Sequence, residues 1–198
     1  IRRRDLMRFH PARMVLALVG RFPSFLDNQH GRRWLERHLG DRLIEQAPTR
    51  LVLVGTDLRT GEAVGLHRGD VVSAVLASSA FPGVYPPVEI DGQTLVDGGV
   101  VADIPLDLVA SLGVQSALVL QLPPLAHDAA PHRAIDILFR ASTLGVEAHG
   151  RTVMRRPPHG LGVVEIPAPP SPVTTFSVDR AATVIDAGYR AAREWLTG

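Results

Sequence analysis

Apolar residues form two different patterns along this chain of 198 residues. A helical stripe early in the chain consists of Trp34, Leu35, Leu39 and Leu43. Because these residues recur every three to four positions, we expect residues 1–45 to be helical. Residues 51–54 instead form a continuous aliphatic run, which is typical of a strand buried in a parallel sheet. The two patterns together predict an α/β fold.

Two further local signals place elements before the middle of the chain. Residues 57–67 suggest a β-hairpin that turns at Arg59-Thr60-Gly61, since threonine and glycine favour turns. Asp70 precedes an apolar segment and predicts a helix from Val71 to Ser78, because its carboxylate can accept hydrogen bonds from first-turn N–H groups. Further on, Gly113 predicts the end of another helix.

The most informative stretch is a predicted β-hairpin that runs into two glycines. Residues 88–90 and 93–96 flank Asp91-Gly92, the dipeptide that most strongly favours a type I′ turn. The second strand ends at Asp97, and Gly98 and Gly99 follow it. Glycines at these positions permit a positive φ or the close approach of another segment. An aspartate at such a strand end can act as a general base, although Asp-Gly by itself is more often only a turn signal.

Four motifs resemble, in order and spacing, the signature of patatin-like phospholipases. They are Thr56-Asp57-Leu58 with Thr60-Gly61-Glu62, Ala77-Ser78-Ser79-Ala80-Phe81-Pro82-Gly83, Pro86-Pro87-Val88 and Asp97-Gly98-Gly99. The resemblance implies a lipid acyl hydrolase that uses a Ser-Asp dyad, with Asp97 as its general base and with Gly98 and Gly99 shaping the turn. It also implies a single domain over residues 1–198, built as a three-layer α/β/α sandwich with a mostly parallel central sheet and added β-hairpins.

The chain departs from this family pattern at the nucleophile. The family places its serine in a Gly-x-Ser-x-Gly elbow behind a glycine-rich oxyanion loop, and no such elbow occurs in this sequence. Ser78 and Ser79 lie in a segment that is scaffold in the family. We therefore expect this to be the C-terminal part of a longer protein, truncated before the elbow and inactive alone. The alternative is a non-catalytic patatin-like module that binds lipid or protein.

Two other aspartates compete with Asp97 for a role at the site. Asp57 follows a predicted strand, and we interpret it as structural. Asp103 stands where the family often has asparagine, and we expect it at the N-terminus of a helix with Pro105 in the first turn. A second carboxylate close to Asp97 would raise one of the two pKa values.

Composition limits the remaining chemistry. The absence of cysteine excludes thiol catalysis and a cysteine-based zinc site, and His127 and His132 show no paired ligand spacing, so we expect no metal and no cofactor. A net charge of +1 and 5% aromatic residues argue against nucleic-acid binding.

Charge is unevenly distributed, because residues 1–50 hold 11 arginines against five acidic residues. Arg2-Arg3-Arg4 could contact a membrane surface, although a solvated helix face is the commoner role of such a run. In resembling proteins the helical region 1–45 can cover the acyl-binding cleft, so a lid-like role is the minority hypothesis there. We expect a cytoplasmic protein, peripheral to a membrane if the arginines bind one, that acts on a lipid or acyl ester.

Overall fold

The structure is a computed structural model that describes residues 23–122, 134–166, 168–169 and 181–197. The chain divides into two units, Ile1–Asp103 and Ile104–Gly198. Described helices and strands occur in both units, which agrees with the predicted α/β class. The predicted single domain and the predicted three layers stay predictions.

The first unit is built on a four-stranded sheet with the order β2-β1-β4-β3. Its strands are β1 (Leu53–Asp57), β2 (Ala63–Leu66), β3 (Val88–Ile90) and β4 (Gln93–Asp97). Every pairing in this sheet is antiparallel. Asp91 and Gly92 both have positive φ, as the predicted type I′ turn between β3 and β4 requires.

The prediction of a mostly parallel central sheet is not confirmed. The aliphatic run at residues 51–54 suggested a parallel strand, but β1 begins at Leu53 and continues through Gly55, Thr56 and Asp57. Its partners are β2, to which it is joined by the predicted hairpin, and the hairpin strand β4. The hairpin connection makes β1 and β2 antiparallel, whatever the hydrophobicity of β1. The antiparallel pairing of β1 with β4 does not come from a hairpin between them.

Helices cover this sheet and close its core. They are α1 (Gln29–Leu39), a 3₁₀ helix (Ile44–Gln46), α2 (Val71–Ser78) and α3 (Gly99–Ala102). The core consists of Ile44, Leu66, Val71, Val72, Ala74, Leu76, Ala77, Val88 and Leu95. Leu35 and Leu39 of the predicted stripe pack against it, whereas Leu43 is exposed. Residues 1–22, which make up about half of the predicted lid-like region and include Arg2-Arg3-Arg4, lie outside the described residues.

The second unit contains α4 (Leu106–Ser111), β5 (Ser116–Leu120), α5 (Ala134–Arg155), β6 (Gly162–Ile166) and α6 (Ala181–Thr197). β5 and β6 pair in parallel. Its core is formed by Ile104, Leu106, Val119 and Leu161. Gly113 has a φ of 77° after α4, as predicted for the residue that ends this helix. Within the described residues, no helix is long and apolar enough to cross a membrane.

The predicted cap of α2 is confirmed by its hydrogen bonds. The Asp70 carboxylate accepts the main-chain N–H of Ser73 at 2.9 Å and that of Val72 at 3.4 Å. It also accepts the Ser73 hydroxyl at 2.6 Å. This cap holds the start of the helix that supplies five of the buried core residues.

We expect Asp70→Ala to lower the free energy of unfolding by about 1 kcal/mol, because the first turn of α2 loses its acceptor. Asp70→Ser should retain most of the stability, since a serine hydroxyl also caps helices. Urea denaturation followed by circular dichroism measures both changes. Equal losses in the two variants would contradict a capping role.

Candidate functional site

The main chain of Asp97 is fixed on both sides at the end of β4. Its N–H donates a hydrogen bond to the Ala80 carbonyl at 3.1 Å. Its own carbonyl accepts the Thr56 hydroxyl at 2.9 Å. In the β1–β4 register Asp97 faces Gly55, which has no side chain to compete for the space beside it. The backbone that carries the Asp97 carboxylate is therefore anchored by two neighbouring segments.

The Asp97 side chain is half-buried and is oriented by a single amide. Its Oδ1 accepts the main-chain N–H of Gly99 at 2.8 Å, which closes a two-residue Asx turn. Within the described part of the chain, its Oδ2 accepts no hydrogen bond. One carboxylate oxygen is thus held in place, and the other retains its capacity to accept a proton.

Gly98 is required by a close approach and not by its φ angle. A Cβ placed on Gly98 would lie 2.7 Å from the carbonyl carbon of Val54 and 2.9 Å from its Cγ1, and nearer still to the carbonyl oxygen. Its φ of −63° is open to any residue, so the positive φ that the sequence allowed is not used. β4 can therefore turn into α3 at this point only if residue 98 has no side chain.

Gly99 lies between two carboxylates. A Cβ on Gly99 would lie 3.2 Å from Asp97 Oδ1 and 3.9 Å from Asp103 Oδ1. Like Gly98, it does not have a positive φ. A side chain at this position would therefore crowd the Asp97 carboxylate.

The pKa of Asp97 is raised above the ordinary aspartate value. Burial is the largest cause, because it disfavours the charged form, and the negative charge of Asp103 acts in the same direction. The hydrogen bond from Gly99 opposes both but does not cancel them. A carboxylate with a raised pKa binds a proton more tightly, which makes Asp97 a stronger base than an exposed aspartate.

The sequence predicted Asp103 at the N-terminus of a helix, and this prediction is wrong. Asp103 is the residue that follows α3 at its C-terminus, and its side chain is exposed. The next helix, α4, starts from Pro105 at its N-cap and has no side-chain cap. Ile104 and Pro105 lie between Asp103 and the first residue of α4. The short α3 helix, which no pattern predicted, joins Asp103 to the turn that begins at Asp97.

Asp57 shows the contacts of a turn residue, which favours the structural interpretation. It is 1% exposed, and its Oδ1 accepts the Arg59 N–H at 2.8 Å. Its carbonyl accepts the Gly61 N–H at 2.8 Å and so closes the β1–β2 hairpin. Its Oδ2 is buried and has no hydrogen-bond partner among the described residues.

Sequence reasoning gave no role to two groups that define the site. Thr56 was noted only as part of a motif, yet its hydroxyl holds the Asp97 carbonyl. The Val54 carbonyl, against which Gly98 packs, has no sequence signal because it belongs to the backbone. Ser79, considered and set aside as a nucleophile, donates its hydroxyl to the Val75 carbonyl at 2.7 Å. In the described residues, no group of three or more potential metal ligands occurs.

The sequence model of the patatin-like phospholipase family matches residues 5–110. This match covers more than half of the chain and includes β1–β4, Asp97 and Asp103. The chain belongs to the patatin-like phospholipase family. The resemblance inferred from the four motifs is thereby confirmed, and the turn that carries Asp97 lies within the matched region.

Curated relatives extend the family assignment. An uncharacterized NTE family protein of Mycobacterium tuberculosis is 38% identical over 95 residues, which cover 48% of this chain and 26% of the relative. A second NTE family protein of that organism is 37% identical over 79 residues, or 40% of this chain and 14% of the relative. A Caenorhabditis elegans protein named for a patatin-like phospholipase domain is 31% identical over 121 residues, or 60% of this chain and 11% of the relative. The chain spans about a quarter or less of the length of these relatives.

The close approach at Gly98 makes a direct stability prediction for this patatin-like turn. Gly98→Ala should lower the free energy of unfolding by about 1–3 kcal/mol or more, since the added Cβ overlaps the Val54 carbonyl and forces the strands apart. Gly145→Ala within α5 is the matched control, because its Cβ would meet nothing within 4 Å. The control should gain about 0.5–1 kcal/mol from the reduced freedom of the unfolded chain. Urea denaturation measures both, and a neutral Gly98→Ala would contradict the close contact.

The raised pKa of Asp97 predicts that this carboxylate costs stability at neutral pH. The native protein holds the Asp97 proton over a pH range in which the unfolded chain, near the ordinary value of 3.8, has lost it. The free energy of unfolding therefore falls as pH rises from 3.8 through the native pKa. Asp97→Asn should be more stable than the parent at neutral pH, and the difference should vanish below 3.8.

Denaturation at neutral pH and at a pH below 3.8 tests this sign. Asp41→Asn, at an exposed turn residue, is the control and should change stability little at either pH. A less stable Asp97→Asn at neutral pH would mean that the folded protein stabilises the charged carboxylate.

Proposed function

We propose that this chain supplies the acidic half of a Ser-Asp dyad in a lipid acyl hydrolase. The observation that carries the proposal is that the Asp97 carboxylate has one oxygen held and one without a partner while it is only half-buried, whereas the same pattern at Asp57 is almost fully buried. Gly99 holds Oδ1, while Oδ2 accepts no hydrogen bond within the described residues. Membership of the patatin-like phospholipase family supports a lipid or other acyl ester as substrate.

In this proposal Asp97 Oδ2 takes the proton of a serine hydroxyl as the serine oxygen attacks the ester carbonyl carbon. The carbonyl oxygen then carries the negative charge of a tetrahedral intermediate. Collapse of that intermediate breaks the bond to the leaving alcohol, which receives the proton from Asp97. Water then attacks the acyl-enzyme with Asp97 as base. Collapse of the second tetrahedral intermediate breaks the bond to the serine oxygen, which receives the proton from Asp97, and the fatty acid is released.

The serine and the oxyanion donors would come from a segment upstream of Ile1. Neither Ser78 nor Ser79 stands in a Gly-x-Ser-x-Gly elbow, and Ser79 already bonds to the Val75 carbonyl. Loss of one oxyanion donor alone typically costs a factor of about 100–1000 in rate. We therefore propose that this chain, assayed without an upstream segment, hydrolyses esters no faster than the buffer does.

The proposal requires no ligand other than the acyl ester. It also includes a cytoplasmic location with peripheral membrane contact. The arginines that would make such a contact, Arg2-Arg3-Arg4, lie outside the described residues. Asp97 acts through proton transfer alone, so the dyad needs neither a histidine relay nor a metal ion.

In a protein that joins this chain to an upstream Gly-x-Ser-x-Gly segment, Asp97→Asn should lower kcat/KM by at least about 100-fold, because an amide cannot take the serine proton. Asp57→Asn is the matched control and should retain most of the activity, since Asp57 closes a hairpin. Steady-state hydrolysis of a nitrophenyl acyl ester measures both. Full turnover by Asp97→Asn would refute Asp97 as the base. An upstream sequence without a serine elbow would refute the dyad and leave a non-catalytic binding module.

A further inference from the structure

Asp97 and Asp103 are brought onto one turn by the short helix α3. Gly98 starts the turn, and its carbonyl accepts the N–H of Ala102 at 2.9 Å and that of Val101 at 3.3 Å. These bonds close α3 and set the position of Asp103 directly after it. Because the chain between the two aspartates is hydrogen-bonded to itself, their spacing is a property of the fold.

The two carboxylates flank the same glycine. The position that a Cβ on Gly99 would occupy lies 3.2 Å from Asp97 Oδ1 and 3.9 Å from Asp103 Oδ1. The distance between Asp97 Oδ1 and Asp103 Oδ1 therefore cannot exceed the sum of these two distances. We propose that Asp103 is a positioning residue for Asp97: the negative charge of Asp103 acts across Gly99 and raises the pH at which Asp97 takes up a proton.

The described groups that hydrogen-bond to Asp97 are neutral, and Asp103 supplies the charge that acts on it. From β1, Asp97 receives the neutral Thr56 hydroxyl, which binds its carbonyl. From the segment after α2 it meets the neutral Ala80 carbonyl, and from α3 the Gly99 N–H. Among the described residues, the negative charge of Asp103 is the ionic influence on Asp97, and it raises the Asp97 pKa together with burial.

This inference rests on the proposed function only for its effect on catalysis. A base that binds a proton more tightly takes the serine proton more readily, but it is also lost to protonation at a higher pH. Asp103 would thus strengthen the base and move the acid limb of activity upward. Since the Asp103 side chain is exposed, salt should weaken its influence.

Carboxyl-carbon NMR of this chain, with pH as the variable, tests the coupling without any enzymatic activity. In Asp103→Asn the titration midpoint of Asp97 should move to lower pH. The shift should be larger at about 0.01 M than at about 1 M ionic strength, where the screening length falls from about 30 Å to about 3 Å. Asp103→Glu should restore the parent midpoint in part, because it returns the charge.

Asp91→Asn is the matched control for this titration. Asp91 lies six residues before Asp97, as Asp103 lies six residues after it, but it occupies the turn at the opposite end of β4. Its φ of 50° suits asparagine. The control should leave the Asp97 midpoint unchanged. Coincident midpoints in Asp103→Asn and the parent at low salt, or a shift that salt does not reduce, would overturn the proposal.

The pH dependence of kcat/KM in a protein with the upstream serine separates this inference from the proposed function. If both are right, Asp103→Asn moves the acid limb to lower pH by the shift that NMR measures for Asp97. A shifted Asp97 midpoint with an unmoved acid limb supports the coupling but refutes Asp97 as the catalytic base. An unshifted midpoint in an enzyme that still requires Asp97 refutes the coupling and leaves the dyad intact.

Discussion

Gly98 packs directly against the Val54 carbonyl, and among the described glycines it is the one where an added Cβ would come nearest to another atom. β4 ends against the middle of β1 at this point, and the chain can turn into α3 only because residue 98 has no Cβ. The same turn sets Asp97 at the strand end, Gly99 beside its carboxylate and Asp103 after α3. This steric requirement between two strands therefore acts together with the hydrogen bonds of Asp97 to Ala80 and Thr56 in positioning the candidate site.

This turn gives the Asp97 carboxylate an uneven environment. The Gly99 N–H stabilises the charged form through Oδ1, while burial and Asp103 disfavour it. Together these effects raise the pKa of Asp97. A raised pKa lowers the free energy of unfolding at neutral pH and strengthens a carboxylate as a base. Asp57 has the same side-chain pattern, since its Oδ1 accepts an N–H two residues later and its Oδ2 has no partner among the described residues, but it is almost fully buried. Side-chain hydrogen bonds alone therefore do not distinguish the two aspartates, whereas the greater exposure of Asp97 does.

Features that depend on a few adjacent residues could be predicted from the sequence. The type I′ turn at Asp91-Gly92, the cap at Asp70 and the helix end at Gly113 all have a local physical cause, and the structure contains each of them. Strand direction could not be predicted in this way, because the aliphatic run before Gly55 looks the same whether its neighbours are parallel or antiparallel. The place of Asp103 was also missed, since the four-residue helix before it has no apolar period of its own.

The site could be predicted in part. Asp97, Gly98 and Gly99 could be chosen because the hairpin and the family motif converge on them, and their role in a site stays a prediction. The reason for Gly98 could not be seen, because it depends on a backbone carbonyl 44 positions earlier in the chain. The Thr56 hydroxyl was hidden for the same cause. Contacts between distant backbone segments leave no pattern in the sequence around either partner.

The central proposal is that the Oδ2 atom of Asp97 is the proton acceptor for a serine of an upstream elbow. A crystal structure of a protein that joins this chain to an upstream Gly-x-Ser-x-Gly segment tests this most directly. The account predicts a serine Oγ within about 2.6–3.2 Å of Asp97 Oδ2, with Oδ1 still bound to the Gly99 N–H. A serine that pairs with another side chain, or an Asp97 Oδ2 occupied by main-chain amides, would contradict it.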